Sequence, residues 1–581
     1  MPLTGRGVRT LLGAAPANLA ELLKARQSAE GAYVSVTATG TRRLAYNQLY
    51  ERAGAMATWL AQETGDPPQG REAHAIVLTL ADPLEFVTAF FAVALIGAVP
   101  VPGPTRVDAR PGHKARLVNI VKASRPAFVI ADDDRTGALR EALDQCDVTI
   151  LPIGQAATSQ GIDPAAFRVH PSCYEQYTSG SVSVPKPIVI SQKNVLAQLR
   201  QAAEAFGETH DSVSVNWVPL YHDMGLVTSV LRPLWSDYTS VLLDAFHFVR
   251  EPHIWPAALT DWRATHTSAP DFGYALCARK VTDVSSYDLS PLRVARNAGE
   301  PVRPATLHAF TDRFASAGFR FSAFKPSYGL AEATLTVTAC RPEDPPKIIE
   351  FSATSLRSGR AAPAHDGDQA TALVSCGPPL RDTEVTIRDE SGSVLDGDGQ
   401  IGEVHIAGPQ VAADRAAQSR AAEHTGLGTG DLGFRWRGEL VLLGRSRDRF
   451  QVRGQNFYPS EIEDAVVAAD DRLRPGRAAV IALPGAPHES PSTVVLAEVA
   501  REHTTLRQEA AAEIARSITR TVSRDFGLSL REVAVLPAGT LPVTTSGKIR
   551  REGCRSLLEQ GLLTSPRYSG AGAPDRASNV G

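Results

Sequence analysis

The chain has no C-x-x-C pair. Its six cysteines (Cys146, Cys173, Cys277, Cys340, Cys376 and Cys554) are scattered through 581 residues. That spacing excludes a zinc ribbon and a disulfide framework, and it suits reduced thiols in a cytoplasmic protein. A long apolar run is also lacking. The most apolar stretch, residues 86–101, is broken by Gly97 and Pro100 and reads as a buried helix entering a turn, so no membrane insertion is expected. Arg6 and Arg9 near the N-terminus have no apolar segment and cleavage site behind them, which argues against a secretory signal. Excess charge of either sign is absent: 60 basic and 63 acidic residues give a net charge of −3. A nucleic-acid binder would need a basic field that this composition does not supply. Internal repeats are not seen either.

What is present is a chain long enough for several cores, 43% hydrophobic and 21% charged, as in a soluble globular protein. Apolar spacing predicts helices at 19–24, 44–62, 82–96 and 113–123, with short strands at 75–80 and 127–130 between them. Strands alternating with helices favour a covered, largely parallel sheet. Further helices are expected at 194–206 and 508–525, and one starting near Pro270. Residues 244–256 read as loop and turn. Residues 324–334 read as a turn opening into a helix. Residues 339–371, rich in Pro, Glu, Asp, Ser and Gly, form a long excursion, and 372–443 read as short strands with Gly and Asp turns. The Ser-, Gly- and Pro-rich tail after Thr564 is expected to be disordered.

Chemistry concentrates at a few places. Residues 177–187 pack Thr178, Ser179, Gly180, Ser181 and Ser183 ahead of Lys186 and Pro187. Hydroxyls, backbone N–H groups and a lysine can cradle a phosphate, and Gly180 lets the backbone approach it. The spacing is not that of G-x-x-x-x-G-K-[ST], and a Ser/Gly turn between two strands remains the plain alternative. His222 and Asp223, beside Met224, can orient a substrate or serve structure alone. Asp271 is most simply an acid at a helix N-terminus.

The order of five motifs then resembles the adenylate-forming superfamily of acyl-CoA synthetases, luciferases and peptide-synthetase adenylation domains, over about residues 20–563. The motifs lie at 177–186, 328–332, 429–431, 444–454 and 546–548. Within it the chain looks most like the fatty acyl-AMP ligases. The carriers of that likeness are residues 219–226, 297–302, 328–335, 429–434 and 453–459, with the excursion before Gly377 standing where that subgroup has an insertion. The resemblance implies an α/β fold. A large N-terminal domain (1–448) would hold mainly parallel sheets and a β subdomain. A smaller, mobile C-terminal α+β domain (449–566) would carry Lys548 and swing about Asp448, leaving 567–581 as a tail. It implies that ATP, with Mg2+, activates a carboxylic acid as an acyl-adenylate, releases pyrophosphate, and passes the acyl group to a carrier protein instead of coenzyme A. Lys548 would bridge carboxylate and phosphate, and Glu332 would associate with magnesium. Asp431 would take the ribose hydroxyls with Arg445 nearby. Ala298, Gly299, Glu300, Tyr328 and Gly329 would line the adenine slot. His222, Asp223, Met224, Thr228, Asp271 and Tyr274 would face the acid.

Some positions depart from the family pattern. Val182 and Val184 stand where threonines are usual, Ser183 and Pro187 where glycines are, so two hydroxyl donors to the phosphates are missing. Thr228 and Ser229 replace small glycines and would narrow an acyl tunnel; Asp271 stands in place of asparagine and could meet an amino or phenolic group. The expected substrates are therefore a fatty acid or a shorter, polar or aromatic acid. Two other readings stay open: a nitrite-dependent diazotisation of an aromatic amine, and a non-catalytic nucleotide-binding module.

Overall fold

A computed structural model describes residues 16–64, 73–105, 111–158, 169–177, 187–413, 426–483, 491–505, 507–543, 549–562 and 567–569. An eight-stranded sheet forms the centre. Its spatial order is Thr336–Ala339, Phe324–Gly329, Val294–Asn297, His266–Ala269, Val213–Asn216, Thr239–Leu243, Ala32–Thr37 and Gly40–Ala45. The six inner strands run parallel and the two edge strands antiparallel. A second, four-stranded sheet of Val99–Pro102, Ala75–Thr79, Phe128–Ala131 and Thr149–Pro152 is wholly parallel. Between the two lies the apolar helix Pro83–Leu95, in which Leu84 and all residues from Phe86 to Leu95 are buried. Asp82 caps it by accepting from the Leu84 N–H at 2.9 Å, Pro83 fits its first turn, and Gly97 at φ +73 lets the chain leave.

The helix Gln192–Phe206 shows how local chemistry sets an element that later supports the site. The Ser191 hydroxyl accepts from the Asn194 N–H at 3.1 Å, while Asn194 Oδ1 accepts from the Ser191 N–H at 3.1 Å. Gly207, at φ +62, ends the helix in the left-handed conformation that glycine adopts without a Cβ penalty. Residues 384–445 form a four-stranded antiparallel sheet, as the strand-and-turn pattern predicts.

Residues 450–558 build apolar cores of their own. One gathers Ile462, Val495, Ile514, Ile518 and Val533; the other gathers Ile481, Leu496, Leu536 and Cys554. Helices Pro459–Ala468, Gln508–Phe526 and Arg551–Glu559 pack there on a mixed sheet. All six cysteines are unpaired. Among the described residues, no helix is long and apolar enough to cross a membrane.

Three expectations are corrected. Residues 244–256 are not loop: Asp244 caps the helix Ala245–Arg250 through the His247 N–H at 2.6 Å, and Ile254–Asp261 follows. Its prolines sit at helix starts, where no N–H is needed. Residues 324–334 form the strand Phe324–Gly329 and then only the 3-10 turn Ala331–Ala333, because Thr334 leaves the helical region at φ +63. In the tail, Arg567–Ser569 is a strand pairing antiparallel with Leu530–Leu536.

Replacing Ser191 with Ala removes the capping acceptor and is expected to cost about 1 kcal/mol, measured by denaturant unfolding. No loss would mean that the cap contributes nothing to the helix.

Candidate active site

Parallel strands deliver the candidate residues to one side of the central sheet. Val213–Asn216 runs on toward His222, Val294–Asn297 into Ala298, Gly299 and Glu300, and Phe324–Gly329 into the turn carrying Glu332. Ligands bind in open parallel sheets at these carboxyl ends, where diverging connections leave a crevice.

Tyr328 reaches from this sheet to the antiparallel one. Its hydroxyl donates to Asp431 Oδ2 at 2.7 Å, and the other Asp431 oxygen is 3.0 Å from Arg445 Nε. Asp431 and Arg445 stand directly opposite in the ladder between Leu427–Trp436 and Glu439–Arg445, so strand register brings them together. Arg445 Nη1 also donates to the Thr429 carbonyl at 3.1 Å, and the Asp431 N–H donates to Thr429 Oγ1 at 3.1 Å. Burial drives the Tyr328 phenol well above its ordinary value, with the Asp431 charge adding to it, so it is a neutral donor.

Glu332 sits on a constrained turn. A Cβ at Gly329 would fall 1.7 Å from the Leu335 carbonyl, so no other residue fits without backbone movement. Thr334 has φ 63 and ψ −53, strained for a β-branched residue, and its hydroxyl donates to the Gln410 carbonyl at 2.7 Å. The Glu332 carboxyl is raised above its ordinary value. Burial is the main cause, Asp223 and Asp431 add to it, and its own backbone N–H and Arg445 oppose it. A half-buried carboxyl near two other carboxylates suits a hard cation. Among the described residues no three His, Cys, Asp or Glu side chains can hold a metal by themselves. Magnesium there would need substrate oxygens as further ligands.

His222 and Asp223 are joined. Asp223 Oδ1 lies 2.6 Å from His222 Nδ1 and accepts from the Met224 N–H at 2.7 Å. Asp223 opens the helix Asp223–Leu226, which continues through a π-helical turn, Val227–Leu231, into Arg232–Ser236. Such wide turns are frequent at functional sites. Thr228, on that turn, is buried and donates to the Met224 carbonyl at 2.7 Å. Met224 faces Gly299: at φ +85, a Cβ there would stand 3.0 Å from Met224 Cε. Ala298 is buried, and Glu300 Oε1 accepts from the Phe272 N–H at 2.6 Å.

Two expected substrate residues belong to the wall and the core instead. Asp271 is 1% exposed, and both its oxygens are occupied. Oδ1 accepts from Asn297 Nδ2 at 2.9 Å and the Arg303 N–H at 3.2 Å; Oδ2 accepts from Thr306 at 2.8 Å and faces Arg303 Nη1 at 3.5 Å. The internal partners leave it no need of an amine or phenol. Tyr274 is fully buried, donates to the Arg296 carbonyl at 2.9 Å, and packs within 5.2 Å of Trp255, Phe310 and Phe324.

Thr178, Ser179, Gly180, Ser181, Lys186 and Lys548, together with Val182, Ser183 and Val184, lie outside the described residues. The strands flanking the first loop, Ser172–Tyr177 and Pro187–Ser191, pair antiparallel. Three nearby residues escaped the motif reading. Gln176 Nε2 donates to the Tyr221 carbonyl at 2.9 Å, and Arg116 Nη2 to the Tyr177 carbonyl at 3.1 Å. Arg296 stands just before Asn297 and is buried. Gln176 was findable by its place next to the loop; a lone arginine in a helix such as Arg116 carries no local signal.

The excursion meets the C-terminal part of the chain. Arg357 and Gln369 donate to the Asp525 carbonyl at 2.9 and 2.6 Å, and Thr371 to Glu461 at 2.8 Å. Asp448 accepts from Arg551 Nη1 at 2.8 Å.

The AMP-binding enzyme family model matches residues 23–414. The medium-chain-fatty-acid–[acyl-carrier-protein] ligase JamA of Moorena producens is 31% identical, covering 94% of this chain and 95% of its own. A 4-hydroxyphenylalkanoate adenylyltransferase of Mycobacterium tuberculosis is 31% identical over 88% of this chain and 85% of its own. Among solved structures, one from a study of fatty acyl-adenylate ligases of E. coli and L. pneumophila matches with a TM-score of 0.85 at 26% identity, covering 94% of this chain and 98% of that one.

Two outcomes are expected. Glu332→Gln removes a carboxyl that is costly to ionise when folded, so the ligand-free variant melts about 1–3 °C higher at pH 8. The sign follows from its raised value: the burden is present above the folded pKa and vanishes below the ordinary 4.5, where both states hold the proton, so the gain shrinks as pH falls. Asp271→Ala is expected to destabilise by about 3 kcal/mol in denaturant unfolding, leaving buried partners unanswered, without changing the ranking of acids used. An altered ranking with unchanged stability would restore Asp271 to the substrate pocket.

Proposed function

The chain belongs to the AMP-binding enzyme family, and we propose that the Tyr328–Asp431–Arg445 cluster with Glu332 is where it joins a carboxylic acid to the AMP moiety of ATP before loading the acyl group onto a carrier protein. It is an acid–AMP ligase that uses ATP. A carboxylate oxygen attacks the α-phosphorus, an acyl-adenylate forms, and pyrophosphate leaves. The reacting groups are both anionic, so the site must supply positive charge and hold them in line.

The observation that carries this assignment is the Asp431 carboxylate held between a neutral phenol and a guanidinium. So held, it is oriented to accept from two adjacent ribose hydroxyls, and Arg445 balances its charge. Ala298, Gly299, Glu300, Tyr328 and Gly329 border the adenine. Glu332 would hold Mg2+ jointly with phosphate oxygens, and that ion supplies charge neutralisation when bound. The roles of the cation at the meeting carboxylate and phosphate and of the β- and γ-phosphate donors are left, on the motif resemblance, to Lys548 and to Thr178, Ser179, Ser181 and Lys186, which lie outside the described residues. His222, fixed by Asp223, borders the entering carboxylate.

Delivery to a carrier protein is supported by the relative from Moorena producens, whose name gives a carrier protein as acceptor. The acid is a fatty acid or a shorter or aromatic one, as the relatives' names suggest. With Asp271 engaged internally, no described residue favours diazotisation of an amine.

The test combines acid-dependent pyrophosphate release with intact-mass analysis of a carrier protein. Asp431→Ala should raise the KM for ATP about 10- to 100-fold, the range for hydrogen bonds to a charged group. An unchanged KM for ATP would remove the cluster from the nucleotide site, and a product on coenzyme A but none on a carrier would overturn the acceptor.

A further inference from the structure

Arg296 is a buried guanidinium with no carboxylate paired to it among the described residues. It is 1% exposed on the strand Val294–Asn297. Nε donates to the Ser327 hydroxyl at 2.7 Å, the guanidinium carbon lies 5.6 Å from the Phe206 ring centre, and Nη1 reaches no partner. Its neighbour Arg232 is differently placed. Arg232 stands 4.6 Å over the same ring, but it pairs with Glu208, which the Tyr238 hydroxyl also supports at 2.8 Å. His266 adds no charge, since burial holds its imidazole down to about 4. Burial first, then repulsion from Arg232, bring Arg296 down to about 9, offset in part by Asp223, Tyr274 and Glu208. It is still a cation at neutral pH.

The position ties this cation to the site. Ser327 is the residue before Tyr328, and Ala298 and Gly299 follow Arg296 at the strand end. Asp223 is close enough for its charge to act on Arg296, yet its Oδ1 is already committed to His222 and the Met224 N–H. Arg232 extends from the helix that carries the π turn with Thr228 and Ser229. A buried guanidinium nitrogen with no hydrogen-bond acceptor is costly, and a bound anion at Nη1 would remove that cost.

We infer that the acid activated here carries a second acidic group at its far end, as in a dicarboxylic or carboxylated aromatic acid, and that Arg296 is the residue that selects it. This rests on the adenylation assignment above. A distal carboxylate accepts from the open Nη1 in a charge-assisted hydrogen bond, whereas a methyl-terminated chain would lie against an unanswered guanidinium.

The experiment compares octanoate with suberate, and benzoate with terephthalate, on the full chain. Pyrophosphate release should favour the diacid of at least one pair about 10- to 100-fold in kcat/KM, the range for such a hydrogen bond. Arg296→Met should abolish that preference and Arg296→Lys retain part of it, with circular dichroism reporting folding; if Arg296→Met fails to fold, Arg296→Lys and Arg296→Gln carry the comparison. Calorimetric binding of the same acids without ATP reads the subsite independently of turnover. Diacid binding lost in Arg296→Met, with no pyrophosphate from any acid, would keep the subsite and sink adenylation. Preference for the monoacids, unchanged in the Arg296 variants, would overturn the subsite and leave adenylation standing.

Discussion

The Asp431 carboxylate joins two sheets that the chain builds far apart in sequence. From the central sheet comes Tyr328 and from the antiparallel sheet Arg445, and each takes one oxygen. Because the Tyr328 ring also packs with Val337, Val385, Ile406 and Leu440, the hydrogen bond and the apolar seam reinforce each other. The position of the Glu332 turn depends on this seam. Its neighbour Ala333 is buried in it, and the strain at Thr334 persists because Gln410 and Ala412 hold the turn from the other side. A site assembled this way is pre-organised: its polar groups are already oriented, so a nucleotide bound as we propose would lose little to reordering.

Buried charge is the second organising constraint, and it is handled in two ways. Asp271 is satisfied from within by Asn297, Thr306 and Arg303, and Arg303 continues to Asp464 on the helix Pro459–Ala468 at 2.6 Å. Arg551 likewise answers Glu463 and Asp448 together. These groups serve architecture, linking the elements around the central sheet to the smaller cores after residue 450. Arg296 has no carboxylate paired to it among the described residues and keeps Nη1 without a hydrogen-bond partner, which is why we assign it, and not Asp271, to substrate.

Much of this was legible in the residues because the informative motifs are local. Asp82 before Pro83 and Gly97 beyond bracket a helix by capping chemistry alone, and Thr429, Gly430 and Asp431 sit together on the one strand Leu427–Trp436, whose turn-like composition there marks it. Gly329 was legible as part of a motif, but its physical reason, the Leu335 carbonyl where a Cβ would go, needs coordinates. The failures have a common cause. Pro252 and Pro256 resembled loop because proline serves turns and helix starts alike, and only the position of the first turn of Ile254–Asp261 tells them apart. Asp271 resembled a pocket acid because its partners lie far along the chain, Asn297 at the end of the strand Val294–Asn297 and Arg303 and Thr306 at the start of the helix Pro304–Phe314. Arg296 carried no signal, since a lone arginine beside Asn297 is ordinarily solvated and only the packing of Phe206 and Ser327 shows otherwise.

The central claim is that the acid's own oxygen becomes bonded to the α-phosphorus of ATP. The most direct measurement supplies the acid with both carboxylate oxygens labelled with 18O, lets the acyl group pass to its acceptor, and weighs the AMP released. Attack by the carboxylate leaves one labelled oxygen on phosphorus, so AMP is predicted to carry a single 18O. Unlabelled AMP, or ADP in its place, would contradict the account.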